Sequence, residues 1–176
     1  MRSLSEAGPT SELICVQDGF FSRDYDILLD GERCGTLDWE RGFQPQCVAE
    51  IDGRAWWIRR PGIFSAQRVI GASGSETPTA TFFRRFIGPA EIVFADGRML
   101  RWRRPRRFTI GYHYVIEEPG GAQILEFASK WSPLKYAVRI DVLRDATRPG
   151  AKKDMPLLIL LGAYLILNLI NRASYG

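Results

Sequence analysis

Paired arginines follow an aromatic residue at three places in the chain. The three segments are Trp57-Ile58-Arg59-Arg60, Phe83-Arg84-Arg85-Phe86 and Trp102-Arg103-Arg104-Pro105-Arg106-Arg107. The planar guanidinium group donates two parallel hydrogen bonds, a geometry that suits phosphate and carboxylate groups. Aromatic rings beside it suit a membrane interface or the stacking of nucleic-acid bases. The pattern therefore predicts a site for an anion.

The stretch from residue 84 to residue 107 carries eight arginines and two acidic residues. We expect its arginines to form an anion site that faces anionic lipid: Arg84, Arg85, Arg101, Arg103, Arg104, Arg106 and Arg107. Adjacent residues of a strand face opposite sides of a sheet, so we expect only one arginine of each pair on a given patch. The alternative is a solvated outer wall, with the aromatic side chains turned into the core.

The charge of the chain is unevenly distributed. Residues 1–50 carry a net charge of −6, residues 51–107 carry +8 and residues 108–176 carry +2, for a total of +4. The basic middle section favours an anionic partner, unless folding places the acidic first section beside it. We expect that partner to be anionic lipid or a membrane surface. Nucleic acid is the rival ligand, and the absence of an RNP-type motif, a helix-turn-helix or a zinc finger argues against it.

Residues typical of catalysis or metal binding are few. His113 is the single histidine, and the three cysteines, Cys15, Cys34 and Cys47, share no C-x-x-C spacing. We therefore expect no catalytic residue, no metal and no cofactor, with His113 half-buried in a strand. The odd number of cysteines and the lack of an apolar signal segment in residues 1–13 predict a cytoplasmic protein, peripheral to the membrane where it binds lipid. We expect a monomer; the sequence identifies no protein partner.

Turn signals divide the chain into short strands. Asp30-Gly31, Asp52-Gly53 and Asp96-Gly97 each separate two runs rich in β-branched and aromatic residues, which is a hairpin pattern. The candidate strands are 12–17, 24–29, 33–40, 46–52, 54–60, 63–70, 79–86, 90–95, 98–104, 107–117, 121–128 and 136–143. Twelve strands in hairpin order predict an all-β, up-and-down antiparallel sheet, whose closure into a barrel would remove its exposed edges.

One apolar helix is predicted after the strands, over residues 154–171. Asp154 is positioned to cap it, and Pro156 fits its first turn. Its apolar stretch, Met155–Ile170, would be ~24 Å long against the ~30 Å of a bilayer core, which favours a helix buried in the domain. The alternative is a tail anchor over residues 155–170, with the basic residues before it on the cytoplasmic side.

This order of elements resembles the tubby C-terminal-like barrel superfamily, which includes tubby proteins, phospholipid scramblases and plant LURP-one-related proteins. The stretch Asp30–Trp39 is similar to an early hairpin of those proteins, where a D-G turn precedes a strand that ends in an aromatic residue. The resemblance covers Glu12–Arg172, and the chain length is nearest to the LURP-one-related branch. It implies a closed barrel of about twelve strands around a buried hydrophobic C-terminal helix.

The resemblance and the composition together give the expected organisation and role. Residues 1–11 are predicted as a flexible arm, residues 12–172 as a single barrel domain and residues 173–176 as a tail. The expected function is that of a non-catalytic β-barrel module that binds anionic lipid or a membrane surface through an arginine-rich face. The alternatives are a tail-anchored protein with a cytoplasmic β domain, and a protein similar to the lipid scramblases.

Overall fold

The computed structural model describes residue 4 and residues 11–19, 22–40, 46–62, 65–85, 87–105, 111–131, 136–143 and 149–174. These residues form twelve strands and one helix, and each strand overlaps a predicted range. The elements are β1 (Leu13–Gln17), β2 (Tyr25–Leu29), β3 (Glu32–Trp39), β4 (Cys47–Ile51), β5 (Arg54–Arg59), β6 (Arg68–Ala72), β7 (Ala80–Phe83), β8 (Ala90–Phe94), β9 (Met99–Arg103), β10 (His113–Glu117), β11 (Gln123–Trp131), β12 (Tyr136–Val142) and α1 (Pro149–Ser174).

The twelve strands form a closed antiparallel barrel. Each strand pairs with its neighbours in sequence, and β1 also pairs with β12, with Leu13 opposite Ile140 and Cys15 opposite Val138. The predicted closure is therefore confirmed. Because successive strands alternate in direction, the Asp-Gly turns all lie at one end of the barrel, here called the turn end. Strands β5, β7 and β9 all end at the opposite end of the barrel. It is called the arginine end here, because each of the three arginine pairs lies at or just after the last residue of one of these strands.

Two of the Asp-Gly hairpins have the predicted tight geometry. Asp30 and Gly31 have φ angles of 50° and 85°, and Asp52 and Gly53 have 54° and 69°. Two successive residues with positive φ are the signature of a type I′ turn, whose twist matches that of the flanking strands. The third hairpin differs, because only Gly97 has positive φ there and the loop is closed by the Phe94 amide bonded to the Arg98 carbonyl.

The helix fills the interior of the barrel. Every residue from Leu157 to Leu167 is buried, and the helix packs on β11, β12 and β4. Its segment Lys153–Asn171 is long and apolar enough to cross a membrane, yet 78% of the most apolar part of that segment is buried inside the protein. The predicted buried helix is thus confirmed, and its packing favours a core helix over the alternative of a tail anchor.

Aromatic contacts fix the helix against the barrel wall. A Cβ atom added at Gly162 would lie 2.1 Å from the Phe127 ring, so the absence of a side chain allows β11 to approach the helix. Farther along the helix, the Tyr164 ring stacks on Trp39 of β3 with their centroids 5.7 Å apart. Contacts on two sides of the barrel therefore set the depth and rotation of α1.

The predicted start of the helix is wrong. The helix begins at Pro149, where a proline fits the first position because its missing amide would have no helical partner. Asp154 therefore lies inside the helix and does not cap it; its carboxylate accepts a hydrogen bond from Arg98 of the turn end. Pro156 lies inside the helix as well, where it removes one backbone hydrogen bond.

The structure also bears on the two predicted terminal segments. Of residues 1–11 it describes Leu4 and Ser11; the Leu4 amide donates to Asp52 Oδ1 at 2.7 Å, and its side chain packs against the core. The other residues of the predicted arm lie outside the described residues. At the other terminus the helix continues to Ser174, beyond its predicted end at residue 171 and into the predicted tail.

Candidate anion site at the arginine end

A cavity of about 450 Å³ opens between the barrel wall and the last turns of the helix. Its position follows from topology, since the helix runs from the turn end to the arginine end. Its basic lining consists of Arg68, Arg84, Arg85, Arg103 and Arg104. Its apolar lining includes Phe82, Trp102, Leu165 and Leu169. The cavity is thus amphipathic, with arginines from β6 and the ends of β7 and β9 around an apolar floor.

The structure brings part of the predicted arginine set together. Arg84, Arg85, Arg103 and Arg104 line the cavity. Arg101 does not, because it points toward the turn end, where its Nη1 donates to the Pro119 carbonyl at 3.1 Å. Arg106 and Arg107 lie outside the described residues.

The expectation that only one arginine of each pair would join the site is wrong. Both members of the pairs Arg84-Arg85 and Arg103-Arg104 line the cavity. Strand β7 ends at Phe83 and β9 ends at Arg103, so each pair lies at or beyond the end of its strand. The alternation of side chains across a sheet holds only within the pleated strand and does not constrain the residues after it.

Two of the cavity arginines are neutralised by carboxylates. Arg103 donates to both oxygens of Glu117, at 2.8 Å from Nε and 2.6 Å from Nη2, and Glu117 is buried. The hydrogen bonds that Arg103 donates to Glu117 raise the pKa of Arg103. Arg85 donates to Glu91 Oε2 at 2.7 Å. These two arginines shape the rim, and their charges are largely compensated.

The other two arginines from the predicted pairs keep their charge. Within the described part of the chain, neither Arg84 nor Arg104 forms an ion pair, and both are exposed. Arg104 is positioned by Tyr114, whose hydroxyl accepts from Arg104 Nε at 3.4 Å and whose ring centroid lies 5.6 Å from the guanidinium carbon. The Tyr114 ring in turn stacks on Trp102, with 5.0 Å between centroids. An anion in the cavity would find two guanidinium groups without a competing carboxylate.

Arg68 is a cavity residue that the sequence reasoning missed. It is only 6% exposed, and its Nη1 donates to the Gln67 carbonyl at 2.7 Å. It also forms a hydrogen bond with the side chain of Tyr164, whose pKa burial raises. The sequence does contain an indication of this position. Arg68 lies two residues before Ile70, and residues two apart in a strand share a face, so Arg68 points to the inward face of β6. It places a buried positive charge beside the helix.

The first arginine pair does not reach the cavity. Arg59 lies over the Trp57 ring, with its guanidinium carbon 4.4 Å from the centroid, on the outer wall of the barrel. Trp57 Nε1 donates to the Ser75 carbonyl at 2.8 Å, which ties this ring to the β6–β7 connection. The predicted alternative of a solvated outer wall therefore describes Arg59.

His113 belongs to a separate buried pair. Its Nε2 atom lies 2.5 Å from Glu126 Oε1, and each residue is 7% exposed, so His113 is more deeply buried than predicted. Neither residue lines the cavity. The three cysteines are buried, and within the described ranges no group of three or more His, Cys, Asp or Glu side chains is arranged to hold a metal ion.

No protein-family model, curated protein or solved structure matches this chain.

Proposed function

We propose that this chain is a binding module, not an enzyme, and that it holds the phosphate group of an anionic lipid in the cavity at the arginine end. The observation that carries this proposal is the pair Arg84 and Arg104. Both face an amphipathic cavity, and neither is neutralised by a carboxylate within the described residues. A phosphate would supply the missing negative charge.

The lining of the cavity supports an amphiphilic ligand over a purely polar one. Guanidinium groups bind phosphate oxygens through paired, charge-assisted hydrogen bonds. The floor formed by Phe82, Trp102 and Leu165 is suited to the apolar part of the same molecule. The volume of about 450 Å³ lies within the range of roughly 300–1,000 Å³ that is usual for small-molecule sites.

We also propose a relationship to the tubby C-terminal-like barrels. A closed twelve-stranded barrel around its own C-terminal helix is the architecture that the resemblance implies, and this supports the proposal. The lipid-binding role does not depend on that relationship, because a fold does not define a function. It depends on the cavity, with its two uncompensated arginines and its apolar floor.

A comparison of two matched double variants tests the proposed function. Arg84→Gln/Arg104→Gln removes the two uncompensated arginines, and Arg33→Gln/Arg101→Gln removes two arginines outside the cavity with the same change in net charge. An arginine near an anionic surface contributes about 1 kcal/mol, so the cavity variant should bind vesicles of phosphatidylcholine and phosphatidic acid about 30-fold more weakly. The control variant should bind much as the unchanged chain does.

The outcome of this comparison, a competition experiment and a measurement with an oligonucleotide together decide the proposal. Equal losses in both double variants would overturn the proposal, since only net charge would then matter. A soluble lysophosphatidate should compete for the site, whereas inorganic phosphate should compete weakly because it leaves the apolar floor uncovered. If the cavity variant loses affinity for a single-stranded oligonucleotide and not for vesicles, nucleic acid is the ligand and the lipid proposal is wrong.

A further inference from the structure

The two ends of the barrel differ in charge. At the turn end the hairpin connections contain five acidic residues, Asp30, Asp52, Glu76, Asp96 and Glu118, and one basic residue, Arg98, which pairs with Asp96. At the arginine end, the sequences of the six connections contain nine basic residues and three acidic ones, Asp18, Asp24 and Glu40. The barrel is therefore electrically polar along its axis, and an anionic surface would attract the arginine end.

One exposed large apolar side chain of the described residues lies at this end, and another, Val142 (49% exposed), lies at the turn end where β12 finishes. Ile87 lies in the β7–β8 connection and is 85% exposed, one of two large hydrophobic residues that are exposed in the described part of the chain. Its neighbours Arg84, Arg85, Gly88 and Pro89 line the cavity, so Ile87 lies beside the cavity mouth. Moving an isoleucine this exposed from water into an apolar phase is favourable, because apolar surface is removed from water.

The sequences of the other connections between strands that finish at this end also combine basic with bulky apolar residues. Each of the other five connections there contains a phenylalanine, isoleucine or leucine: Phe20 and Phe21, Phe43, Ile63 and Phe64, Phe108 and Ile110, and Leu134. The placement of these side chains lies outside the described residues. The hairpin connections of the turn end contain no such residue. Basic and bulky apolar residues together are typical of surfaces that insert into the head-group region of a bilayer.

We propose that the arginine end docks on an anionic bilayer and that Ile87 inserts below the phosphate groups. This inference rests on the proposed function and adds an orientation to it, with the barrel axis standing on the membrane and the turn end in solvent. Insertion of Ile87 places the mouth of the cavity at the depth of the lipid phosphates. A lipid could then present its phosphate to Arg84 and Arg104 without leaving the bilayer.

Site-specific labelling tests this orientation in the full chain. The native cysteines are all buried, so an environment-sensitive fluorophore can be attached at a new surface cysteine, Ile87→Cys. Ala95→Cys is the matched control, because Ala95 is exposed in the β8–β9 connection of the turn end. On vesicles that contain phosphatidic acid, the label at position 87 should become brighter and shift to shorter wavelength. The label at position 95 should not change.

A second variant separates this inference from the proposed function. Ile87→Ser should weaken vesicle binding by about tenfold or more, while leaving lysophosphatidate binding in solution unchanged. A label at position 87 that stays in water on bound vesicles overturns the inference, even if Arg84 and Arg104 still bind lysophosphatidate. If instead the label inserts and the variant Arg84→Gln/Arg104→Gln binds normally, the insertion is supported and the proposed cavity site is wrong.

Discussion

Neighbouring arginines in this chain have different roles because their surroundings differ. Arg103 and Arg104 are adjacent, yet Arg103 is held by two hydrogen bonds to the buried Glu117, whereas Arg104 rests on the Tyr114 ring. A bidentate ion pair leaves little charge for a ligand, while an arginine held by an aromatic ring keeps its donors. The carboxylate partners, and not the number of arginines, therefore decide which side chains are available to bind an anion.

Buried thiols give a prediction at the residue scale. Burial raises the pKa of Cys34 from 9.0 to about 11 and raises the pKa values of Cys15 and Cys47 well above the ordinary value. The folded protein thus holds these protons more tightly than the unfolded chain. The stabilisation is complete below the unfolded pKa and is lost as the pH rises, so the free energy of unfolding should fall from about pH 9 upward. Each thiol can contribute at most about 1.4 kcal/mol per pH unit.

Denaturant unfolding at a series of alkaline pH values measures this fall. Cys34→Ala is the control, because removing one of the thiols should make the decline shallower. The native protein should also react slowly with a thiol reagent and rapidly once it is unfolded. A decline that is as steep in Cys34→Ala as in the unchanged chain would show that other groups cause it.

The prediction of single site residues succeeded where a short sequence motif marked them. The arginine pairs were visible because each follows an aromatic residue, and Arg84, Arg85, Arg103 and Arg104 do meet. Arg68 was missed because a lone arginine in a strand carries no motif. Its role becomes clear only when β6, β7, β9 and the helix are placed together. The expectation that only one arginine of each pair would join the site failed because the pairs lie at strand ends. Sequence gives the positions of these ends only to within a few residues.

The strands were predictable because two adjacent residues are enough to determine the geometry of a tight hairpin turn. At Asp30-Gly31 and Asp52-Gly53 both residues have positive φ, as a type I′ turn requires. The start of the helix was not predictable in the same way. Asp154 is a good capping residue by type, yet it bonds to Arg98, which is distant in sequence and adjacent only in the folded barrel. Long-range partners of this kind override local preference.

The contact between helix and wall gives a prediction at the element scale. In Gly162→Ala the new Cβ would lie 2.1 Å from a ring atom of Phe127, which is fully buried and has little room to move. Overpacking of this kind costs about 1–3 kcal/mol, so thermal and denaturant unfolding should show a loss of that size. Gly120→Ala is the matched control, because no atom lies within 4 Å of a Cβ added there and its φ is not positive. Equal stability of the two variants would contradict the packing of α1 on β11.

The whole molecule combines a closed wall, a helical core and two unlike ends. Pairing of β1 with β12 closes the barrel, so that none of the twelve described strands has a free edge, and the apolar helix supplies the side chains that fill a barrel this wide. Strand direction then sorts the connections, so that acidic residues outnumber basic ones in the hairpin connections of the turn end and the reverse holds in the sequences of those at the arginine end. Strands β5, β7 and β9 run in the same direction and each ends at or just before an arginine pair, which places these pairs at one end of the barrel.

The sequence predicts this architecture more fully than the site. Twelve strands, their hairpin order and the apolar helix all follow from periodicity and turn residues, which act over short distances. The cavity is lined by Arg68, Arg84, Arg104 and Leu165, which are far apart in the sequence. No local sequence pattern predicts that these residues lie close together. The relationship to the tubby-like barrels stays a prediction, as does the role in lipid binding.

The most direct test of the cavity site is a titration followed by nuclear magnetic resonance. The isotopically labelled full chain is titrated with lysophosphatidate below its critical micelle concentration, and the Nε–H signals of the arginine side chains are recorded. If the cavity holds the phosphate, the signals of Arg84 and Arg104 should shift and saturate together, while those of Arg33 and Arg101 stay in place. Unmoved cavity signals, or equal shifts at all four arginines, would contradict the proposed site.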